Sequence, residues 1–233
     1  MDILKDGELP QTVGEEYLLN FIRELSPYTE DAASPALEHS LADGVPILSE
    51  ETKNLLGTLL QMHHPRRILE IGTAYGFSAV YMSQFLAEGG SIDTLERNPV
   101  MIREARIHLA PFEERIHLHE GAAQDIIPEL PGPYDFVLID AGMGQYAVFW
   151  EEIQEKLTDH AVIFCDNVLH GGLVAMDRYE IPRRQRTIHQ RMRDFLTEVL
   201  ADSNYQSALL PIGDGVLIAV RKTKGGKDNA HES

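Results

Sequence analysis

Acidic side chains follow two apolar runs of the chain, at the point where each run ends. Asp140 closes the run 136–139, and Asp166 with Asn167 closes the run 161–165. Both runs are short, rich in strand-forming residues and followed by glycines, which predicts buried strands that end in turns. In an open α/β sheet, ligands bind outside the carboxyl ends of the strands. Two carboxylates and an amide at that edge would suit a hard cation such as Mg²⁺ or Ca²⁺, placed to polarise a substrate oxygen.

Strand-like and helix-like segments alternate from residue 67 onward. This pattern predicts an α/β fold, a Rossmann-like doubly wound sheet with helices on both faces. We expect parallel strands at 67–71, 91–95, 115–119, 134–140 and 161–166. We expect helices at 78–87, 99–109, 122–130, 146–157 and about 183–201. Two final runs, 206–211 and 215–221, flank the turn sequence Gly213-Asp214-Gly215 and should form an antiparallel pair at the sheet edge.

Helical patterns also precede the first strand, at 15–25, 35–42 and 50–62. The first of them has one apolar face, which could cover the chain's own sheet or a second subunit. That face consists of Tyr17, Leu18, Phe21, Ile22 and Leu25. We expect a single domain over 1–221, in which 1–65 is a helical extension. The polar segment 222–233 is predicted to be a disordered tail.

Composition limits the class of protein. The chain has 233 residues, of which 43% are hydrophobic, and this is enough for one α/β core. Its single cysteine excludes an internal disulfide, and no apolar stretch has the length of a membrane helix, so we expect a soluble, cytoplasmic protein. The formal net charge of -17 argues against nucleic-acid binding over the whole surface, although it permits a local basic patch.

The first three strand ends each carry a plausible nucleoside contact. The first strand runs into a turn with Gly72 and Gly76 and then into a helix, whose free N–H groups and close backbone suit a ligand. The spacing is not that of the G-x-G-x-x-G motif, so an ordinary strand–helix turn is the alternative. Glu96 ends the second strand, where an acid can bind both ribose hydroxyls. The segment 121–125 follows the third strand and could frame an adenine ring.

Taken together, these motifs resemble the metal-dependent O-methyltransferases of the catechol and caffeoyl-CoA type, which use S-adenosylmethionine. The resemblance covers about 45–220 and rests on several motifs combined. These are Val45-Pro46-Ile47-Leu48-Ser49, Glu70-x-Gly72-x-x-x-Gly76, Glu96, the run 121–130 with Gly121-Ala-Ala-Gln124-Asp, Asp140, Asp166-Asn167 and the hairpin 210–216. It implies a sheet of about seven strands with the last strand antiparallel, and a homodimer.

The resemblance also implies roles for individual residues. Glu96 would bind the ribose of S-adenosylmethionine, Ala123 and Gln124 would border the adenine, and the turn at Gly72 would pass beneath the methionine part. The whole set expected at the methyl donor is Val45, Glu70, Gly72, Tyr75, Gly76, Ser78, Glu96, Ala123, Gln124 and Asp140. Asp140, Asp166 and Asn167 would hold Mg²⁺, and Asp140 would therefore also be catalytic.

The chain departs from the family at one catalytic position. The family pattern Asp-x-x-Lys supplies a lysine that helps to deprotonate the substrate hydroxyl, whereas here Met143 stands in its place. Methionine cannot take a proton. The metal alone could acidify the hydroxyl, the substrate could already be acidic, or another group could serve as the base, for which His170 is the candidate. Loss of catalysis is the remaining alternative.

Arginines are concentrated in a segment that follows the candidate metal ligands. Six arginines and three acids lie between residues 177 and 194, a local excess of positive charge. A solvated helix face is the ordinary explanation. The charge contrast with the rest of the chain instead favours a phosphate-bearing substrate. We expect Arg184, Arg186, Arg191 and Arg193 to bind it, and Tyr146, which follows the metal loop, to face it.

The same segment narrows the expected substrate. The run from Arg184 to Phe195 resembles the bacterial branch that methylates 5-hydroxyuridine at the wobble position of the tRNA anticodon. A 5-hydroxypyrimidine is more acidic than a simple alcohol, which is consistent with the absence of the lysine. A catechol-like or other small hydroxylated molecule is the second hypothesis. A third is a non-catalytic protein that binds S-adenosylmethionine. No membrane partner is expected.

Overall fold

The computed structural model describes residues 15–26 and 29–223. The chain divides into two compact units, Met1–Glu30 and Asp31–Ser233. In the first unit, helix α1 (Glu15–Leu25) carries the predicted apolar face, and its five large side chains are exposed. The predicted tail lies outside the described residues from 224 onward. In the part of the chain that is described, no helix has the length and apolar character needed to cross a membrane.

The second unit alternates strands and helices. Its helices are α2 (Ser34–Ala42), α3 (Glu50–His63), α4 (Phe77–Ser83), α5 (Pro99–Leu109), α6 (Ala123–Ile126), α7 (Tyr146–Ile153) and α8 (Arg186–Ala201). Its strands are β1 (Arg67–Ile71), β2 (Ser91–Glu96), β3 (Ile116–Glu120), β4 (Tyr134–Ile139), β5 (Leu157–Cys165), β6 (Tyr205–Leu210) and β7 (Val216–Arg221). A helix separates β1 from β2, β2 from β3 and β4 from β5, and each of these pairs is parallel because the crossover returns the chain to the same end of the sheet.

One seven-stranded sheet has the order β3-β2-β1-β4-β5-β7-β6. The first five strands are parallel, and β7 pairs antiparallel with both β5 and β6. The predicted fold class is therefore confirmed, including the antiparallel last strand. The chain order reverses between β1 and β4, which places a crevice at the carboxyl ends of these central strands.

Side chains alternate between two apolar layers along each central strand, because successive residues of a strand point to opposite faces. On β4, Val137 and Ile139 face one layer with α7 and α8, while Phe136 and Leu138 face the other with α3, α4 and α5. Helices thus cover both faces of the sheet, and this burial accounts for strands that read as continuous apolar runs.

Several element boundaries differ from those predicted. The helix predicted at 146–157 ends at Ile153 and continues as a 3₁₀ turn to Lys156. Leu157 already belongs to β5, where it pairs with Tyr134. The polar residues at 158–160 concealed this start, because they are exposed or half-buried and break the apolar pattern. Similarly, the helix predicted at 122–130 is α6 followed by a 3₁₀ turn, Ile127–Glu129.

Candidate active site

A cavity of about 490 Å³ opens at the carboxyl ends of β1, β2 and β4. Most residues expected at the methyl donor line it. These are Val45, Gly72, Tyr75, Ser78, Glu96, Ala123, Gln124 and Asp140. Asn167, from the end of β5, also reaches the wall. The position of the cavity is the one expected for a ligand site in an open α/β sheet.

The turn after β1 approaches the end of β4 closely. Gly72 has a φ of 109°, and a Cβ atom at this position would lie 2.0 Å from the carbonyl oxygen of Asp140. Only glycine fits such a contact. The turn is tied to β2 as well, because the N–H groups of Gly72 and Thr73 donate to the carbonyl of Leu95 at 3.0 and 3.2 Å. Three strand ends therefore meet beneath the cavity.

Two residues expected at the donor do not line the cavity. Gly76 caps α4, where a Cβ atom would meet the side chain of Leu109 at 2.9 Å. Glu70 is fully buried in β1 and accepts a hydrogen bond from the hydroxyl of Thr94. Burial raises the pKa of Glu70 to about 7, against the lowering effect of neighbouring hydroxyls. Glu70 and Gly76 therefore shape the turn from below, and neither reaches a ligand in the cavity.

Backbone N–H groups hold the carboxylate of Glu96 at the cavity wall. Its Oε2 accepts from the N–H of Ala74 at 3.0 Å, and its Oε1 accepts from Arg97 and Asn98 at 2.9 and 2.8 Å. The first of these bonds links the ends of β1 and β2. An acceptor fixed in this way can receive hydrogen bonds from a pair of neighbouring hydroxyl groups, such as those of a ribose.

Asp140, Asp166 and Asn167 lie together where β4 and β5 end. The N–H of Asp166 donates to the carbonyl of Ile139 at 3.0 Å, which extends the sheet pairing up to these residues. Nδ2 of Asn167 donates to Oδ1 of Asp140 at 3.0 Å and to Oδ2 of Asp166 at 3.2 Å. The three side chains named as metal ligands therefore converge on one position.

The chemistry of this cluster fits a hard cation. Asp166 is 3% exposed, and its Oδ1 is buried without a hydrogen-bond partner among the described residues. Burial and the neighbouring Asp140 raise the pKa of Asp166 to about 7, and burial also raises the pKa of Asp140. Neither carboxylate forms an ion pair with a described residue, and a divalent ion with oxygen ligands would supply the compensating positive charge. Among the described residues, no group of three or more His, Cys, Asp or Glu is arranged to hold a metal ion, and this cluster combines two carboxylates with an amide.

The substrate contact expected of Tyr146 requires correction. Tyr146 is 1% exposed, and its hydroxyl donates to the carbonyls of Asp166 at 2.7 Å and Ile139 at 3.3 Å. Its ring packs edge-on against Phe195 of α8, with 5.8 Å between centroids. Because both its hydroxyl and its ring are occupied within the protein, Tyr146 supports the end of β5 and does not face a substrate.

Met143 and His170 also lie outside the wall of the cavity. Met143 is part of a 3₁₀ turn after Asp140 and packs against the apolar layer that contains α7 and α8. His170 is half-buried in the loop after Asn167, in a left-handed backbone conformation with φ 48°. Met143, at the position of the family lysine, cannot accept a proton. The role of His170 as the base stays a prediction.

The expected substrate arginines divide into two groups. Arg186 and Arg193 donate to carbonyl groups of the loop before α8, so they hold that loop against the helix. Arg191 is exposed, and its NH1 lies 3.4 Å from the carbonyl oxygen of Gly144, in the turn after Asp140. Arg184 is exposed as well, and it lies seven residues earlier in the chain, on the 3₁₀ turn before α8. Arg184 thus makes no side-chain bond to a described residue, Arg191 donates to the turn after Asp140, and Arg186 and Arg193 hold the loop before α8.

One acid at the site was not expected from the sequence. Asp214, in the turn between β6 and β7, lines the cavity and contributes to the raised pKa of Asp166. The glycines around it gave only a turn signal. The turn reaches the site because Gly213 packs on α3, where a Cβ atom would lie 2.7 Å from Oγ1 of Thr52. Such a long-range contact has no signature in the local sequence.

Comparison with known proteins agrees with this geometry. A model of an O-methyltransferase family matches residues 28–222. A catechol O-methyltransferase of Mycobacterium tuberculosis is 32% identical over 68% of this chain and 76% of its own length. A catechol O-methyltransferase of Niastella koreensis is 29% identical over 66% of this chain and 74% of its own length.

A solved structure shares the fold. The SAH-bound Podospora anserina methyltransferase PaMTH1 is 25% identical, with a TM-score of 0.79 over 93% of this chain and 99% of that one. The family model matches residues 28–222, which is most of the chain, and this match identifies the family. The chain therefore belongs to the O-methyltransferase family, whose members take the methyl group from S-adenosylmethionine.

Proposed function

We propose that this protein transfers the methyl group of S-adenosylmethionine to a hydroxyl oxygen held at Asp140, Asp166 and Asn167 by a hard divalent cation such as Mg²⁺. The observation that carries the proposal is the unpartnered, buried Oδ1 of Asp166 in a cluster with a second carboxylate. Asp140 and Asn167 of this cluster also line the cavity that contains Glu96. The acceptor and the donor would therefore meet in one cavity.

The chain's own residues bind and orient the donor. Glu96 would accept hydrogen bonds from the ribose hydroxyls, while Ala123 and Gln124 border the adenine on the neighbouring strand end. Gly72 lets the turn after β1 lie directly against the end of β4, and the methionine part would lie above this turn. Val45 and the segment after it also line the cavity. Holding both reactants in line can lower the barrier by roughly 7–11 kcal/mol.

The metal would acidify the hydroxyl and act as a template, the two roles by which a cation assists transfer to oxygen. Asp140, Asp166 and Asn167 would hold it, and Tyr146 fixes the end of β5 from below. Met143 leaves the protein without the family's lysine base. An acceptor whose hydroxyl is already acidic would need no such base, and a 5-hydroxypyrimidine is of this kind.

We propose 5-hydroxyuridine at the wobble position of tRNA as the acceptor, giving 5-methoxyuridine. Exposed arginines next to the candidate metal site support an anionic substrate, and Arg191 reaches the turn after Asp140. None of the arginines from 178 to 193 forms a salt bridge with a described residue. In a chain of net charge -17, uncompensated arginines at one site favour a phosphate-bearing partner.

The test is methyl transfer from labelled donor to tRNA of a strain that lacks the gene. We expect label in 5-methoxyuridine at the wobble position, and no transfer in excess EDTA. Arg184→Glu with Arg191→Glu should greatly weaken transfer to tRNA and leave a catechol acceptor almost unaffected. Failure to label such tRNA would exclude the RNA acceptor, and full activity in EDTA would exclude the metal.

A small hydroxylated acceptor is the second candidate. It is favoured by the relatives named catechol O-methyltransferases, at 29% and 32% identity. In that case, a catechol should be methylated with an efficiency that is insensitive to salt and to the arginine substitutions. A protein that only binds the donor would produce no S-adenosylhomocysteine with either acceptor.

We also propose that the protein works in the cytoplasm, where tRNA is modified, and that it is a homodimer. The exposed apolar face of α1 supports a second subunit, since clustered exposed hydrophobic residues are typical of interaction surfaces. Light scattering should give twice the mass of the chain. Replacing Phe21 and Leu25 by Ser should lower that mass to one chain, and a wild-type monomer would exclude the dimer.

A further inference from the structure

One face of α8 holds the loop that precedes it. NH1 of Arg193 donates to the carbonyl of Val174 at 3.0 Å, and Nε2 of His189 lies 3.1 Å from the carbonyl of Met176. Arg186, at the start of the helix, donates to two further carbonyl groups of this loop. The loop therefore runs antiparallel to α8, with its later residues beside the first turn of the helix.

This arrangement presents Tyr179 to solvent. Nε and NH2 of Arg186 lie 3.4 Å from the carbonyl oxygens of Ile181 and Tyr179, and its guanidinium carbon lies 5.9 Å from the ring centroid of Tyr179. Tyr179 is 84% exposed, the highest value among the exposed large hydrophobic residues described. Its backbone is fixed further, because its N–H donates to Oδ1 of Asp177 at 2.8 Å. An aromatic ring on a fixed backbone, left open on its surface, is available for stacking.

The charges around Tyr179 identify a suitable partner. Arg178, Arg183 and Arg184 are exposed, and within the described residues their side chains form no ion pair or hydrogen bond. Aromatic rings placed among free arginines are the usual surface of proteins that bind single-stranded nucleic acid, where bases stack and phosphates meet the cations.

Helix α8 links the loop that carries Tyr179 to the turn after Asp140. Arg186 and Arg191 are five residues apart on α8, about 7.5 Å along the helix axis. Arg191 contacts Gly144 in the turn after Asp140, while Arg186 contacts Tyr179. A strand whose reacting base lies at Asp140 would reach Tyr179 by following α8 from Arg191 to Arg186.

We propose that Tyr179 stacks on a base next to the methylated nucleotide, while Arg178, Arg183 and Arg184 bind the adjoining phosphates. This inference rests on the proposed RNA acceptor and deepens it, because it assigns the flanking nucleotides to the loop before α8. It also explains why Arg186 and Arg193 are engaged with the loop: they fix the platform, and the free arginines contact the RNA.

The experiment measures binding of the full-length protein to an anticodon stem–loop RNA with 5-hydroxyuridine at the wobble position, at several salt concentrations. Tyr179→Ala should weaken binding roughly 5- to 150-fold, the loss typical of one stacked base. Tyr179→Phe keeps the ring and should bind like the wild type. Arg184→Gln should reduce the salt slope by about 1, whereas Tyr179→Ala should leave the slope unchanged.

Two controls separate this effect from a general loss of charge or of folding. Arg115→Gln removes an exposed arginine before β3, at the opposite end of that strand from the site, and should not change RNA binding. Transfer to free 5-hydroxyuridine nucleoside should be unchanged in Tyr179→Ala, because the nucleoside has no flanking base.

The outcomes distinguish this inference from the proposed function. If the wild type binds and methylates the RNA and Tyr179→Ala does so equally well, only the stacking role is refuted. An equal loss in Tyr179→Phe and Tyr179→Ala would also refute it, because the ring would then be irrelevant. If the wild type does not bind the RNA even at low salt, the RNA acceptor itself is refuted.

Discussion

Nδ2 of Asn167 donates a hydrogen bond to Oδ1 of Asp140 at 3.0 Å, so side chains as well as backbone join the ends of β4 and β5. Asn167 has a φ of 58°, a left-handed conformation that asparagine tolerates better than most residues. This conformation turns the chain away from β5 directly after Asp166. The candidate metal site therefore depends on the backbone at one residue as much as on its carboxylates.

Asp166→Ala should abolish methyl transfer and leave donor binding intact. The substitution removes the buried carboxylate with the unpartnered oxygen, while Glu96 and the donor turn are untouched. We expect at least about a 100-fold loss of kcat/KM, the size of effect that a misplacement of about 1 Å already causes. Steady-state kinetics and donor titration by calorimetry measure the two quantities.

Asp159→Ala is the matched control for this variant. Asp159 is exposed on the same strand, toward its other end, and its replacement should preserve activity. Retention of more than half of the wild-type activity in Asp166→Ala would contradict the metal site.

Tyr146→Phe should weaken both folding and transfer. It removes the hydroxyl that donates to the carbonyl of Asp166, and leaving this buried group unpaired costs about 1–3 kcal/mol. Because the same bond fixes the end of β5, kcat should fall while KM for the donor stays constant. Urea denaturation and kinetics on the same preparation give both values.

Tyr205→Phe separates the two effects. Its hydroxyl donates to Oε1 of Gln154, away from the cavity, so this variant should lose stability without losing activity. Equal kcat values in Tyr146→Phe and the wild type would show that Tyr146 has a structural role only.

The positions of Asp140, Asp166 and Asn167 at neighbouring strand ends could be predicted from the sequence, because apolar runs fix the strands and parallel strands end at one edge. The position of Tyr146 could not, since a residue just after a metal loop can point either way, and the packing against Phe195 decided it. Asp214 was missed for a related reason. It reaches the cavity through a hairpin that packs on α3, a contact between distant segments.

The engagement of Arg186 and Arg193 was equally hidden from the sequence. Periodicity placed both on α8, but the loop carbonyls that they bind follow no pattern along the chain. By contrast, the charge excess of the whole segment was evident from composition alone. Local rules thus gave the fold and the strand-end residues, and tertiary contacts assigned the remaining side chains.

Glu70 should make stability depend on pH. Its pKa is raised by burial from the usual 4.5 to about 7, so the folded protein holds this proton more tightly than the unfolded chain does. The unfolding free energy should therefore fall as pH rises from about 4.5 to about 7, by up to about 3 kcal/mol. Glu70→Gln does not titrate, so this part of the slope should disappear in urea denaturation at a series of pH values.

The control for the pH experiment is Glu114→Gln, which changes an exposed acid and should keep the wild-type slope. Identical pH profiles for Glu70→Gln and the wild type would show that Glu70 does not carry this linkage.

Gly72→Ala should disrupt the site through the backbone. Its Cβ atom would lie 2.0 Å from the carbonyl oxygen of Asp140, and the φ of 109° is unfavourable for any side chain. Relief of this clash requires β1 and β4 to separate at their ends, which displaces Asp140. We expect a destabilisation of about 2–4 kcal/mol and loss of both donor binding and transfer. Gly144→Ala is the control, because Gly144 lies outside the cavity wall and a Cβ atom there would lie 3.7 Å from NH1 of Arg191, so donor binding should be unchanged. Normal donor affinity in Gly72→Ala would show that the close approach of the two strand ends is not needed for binding.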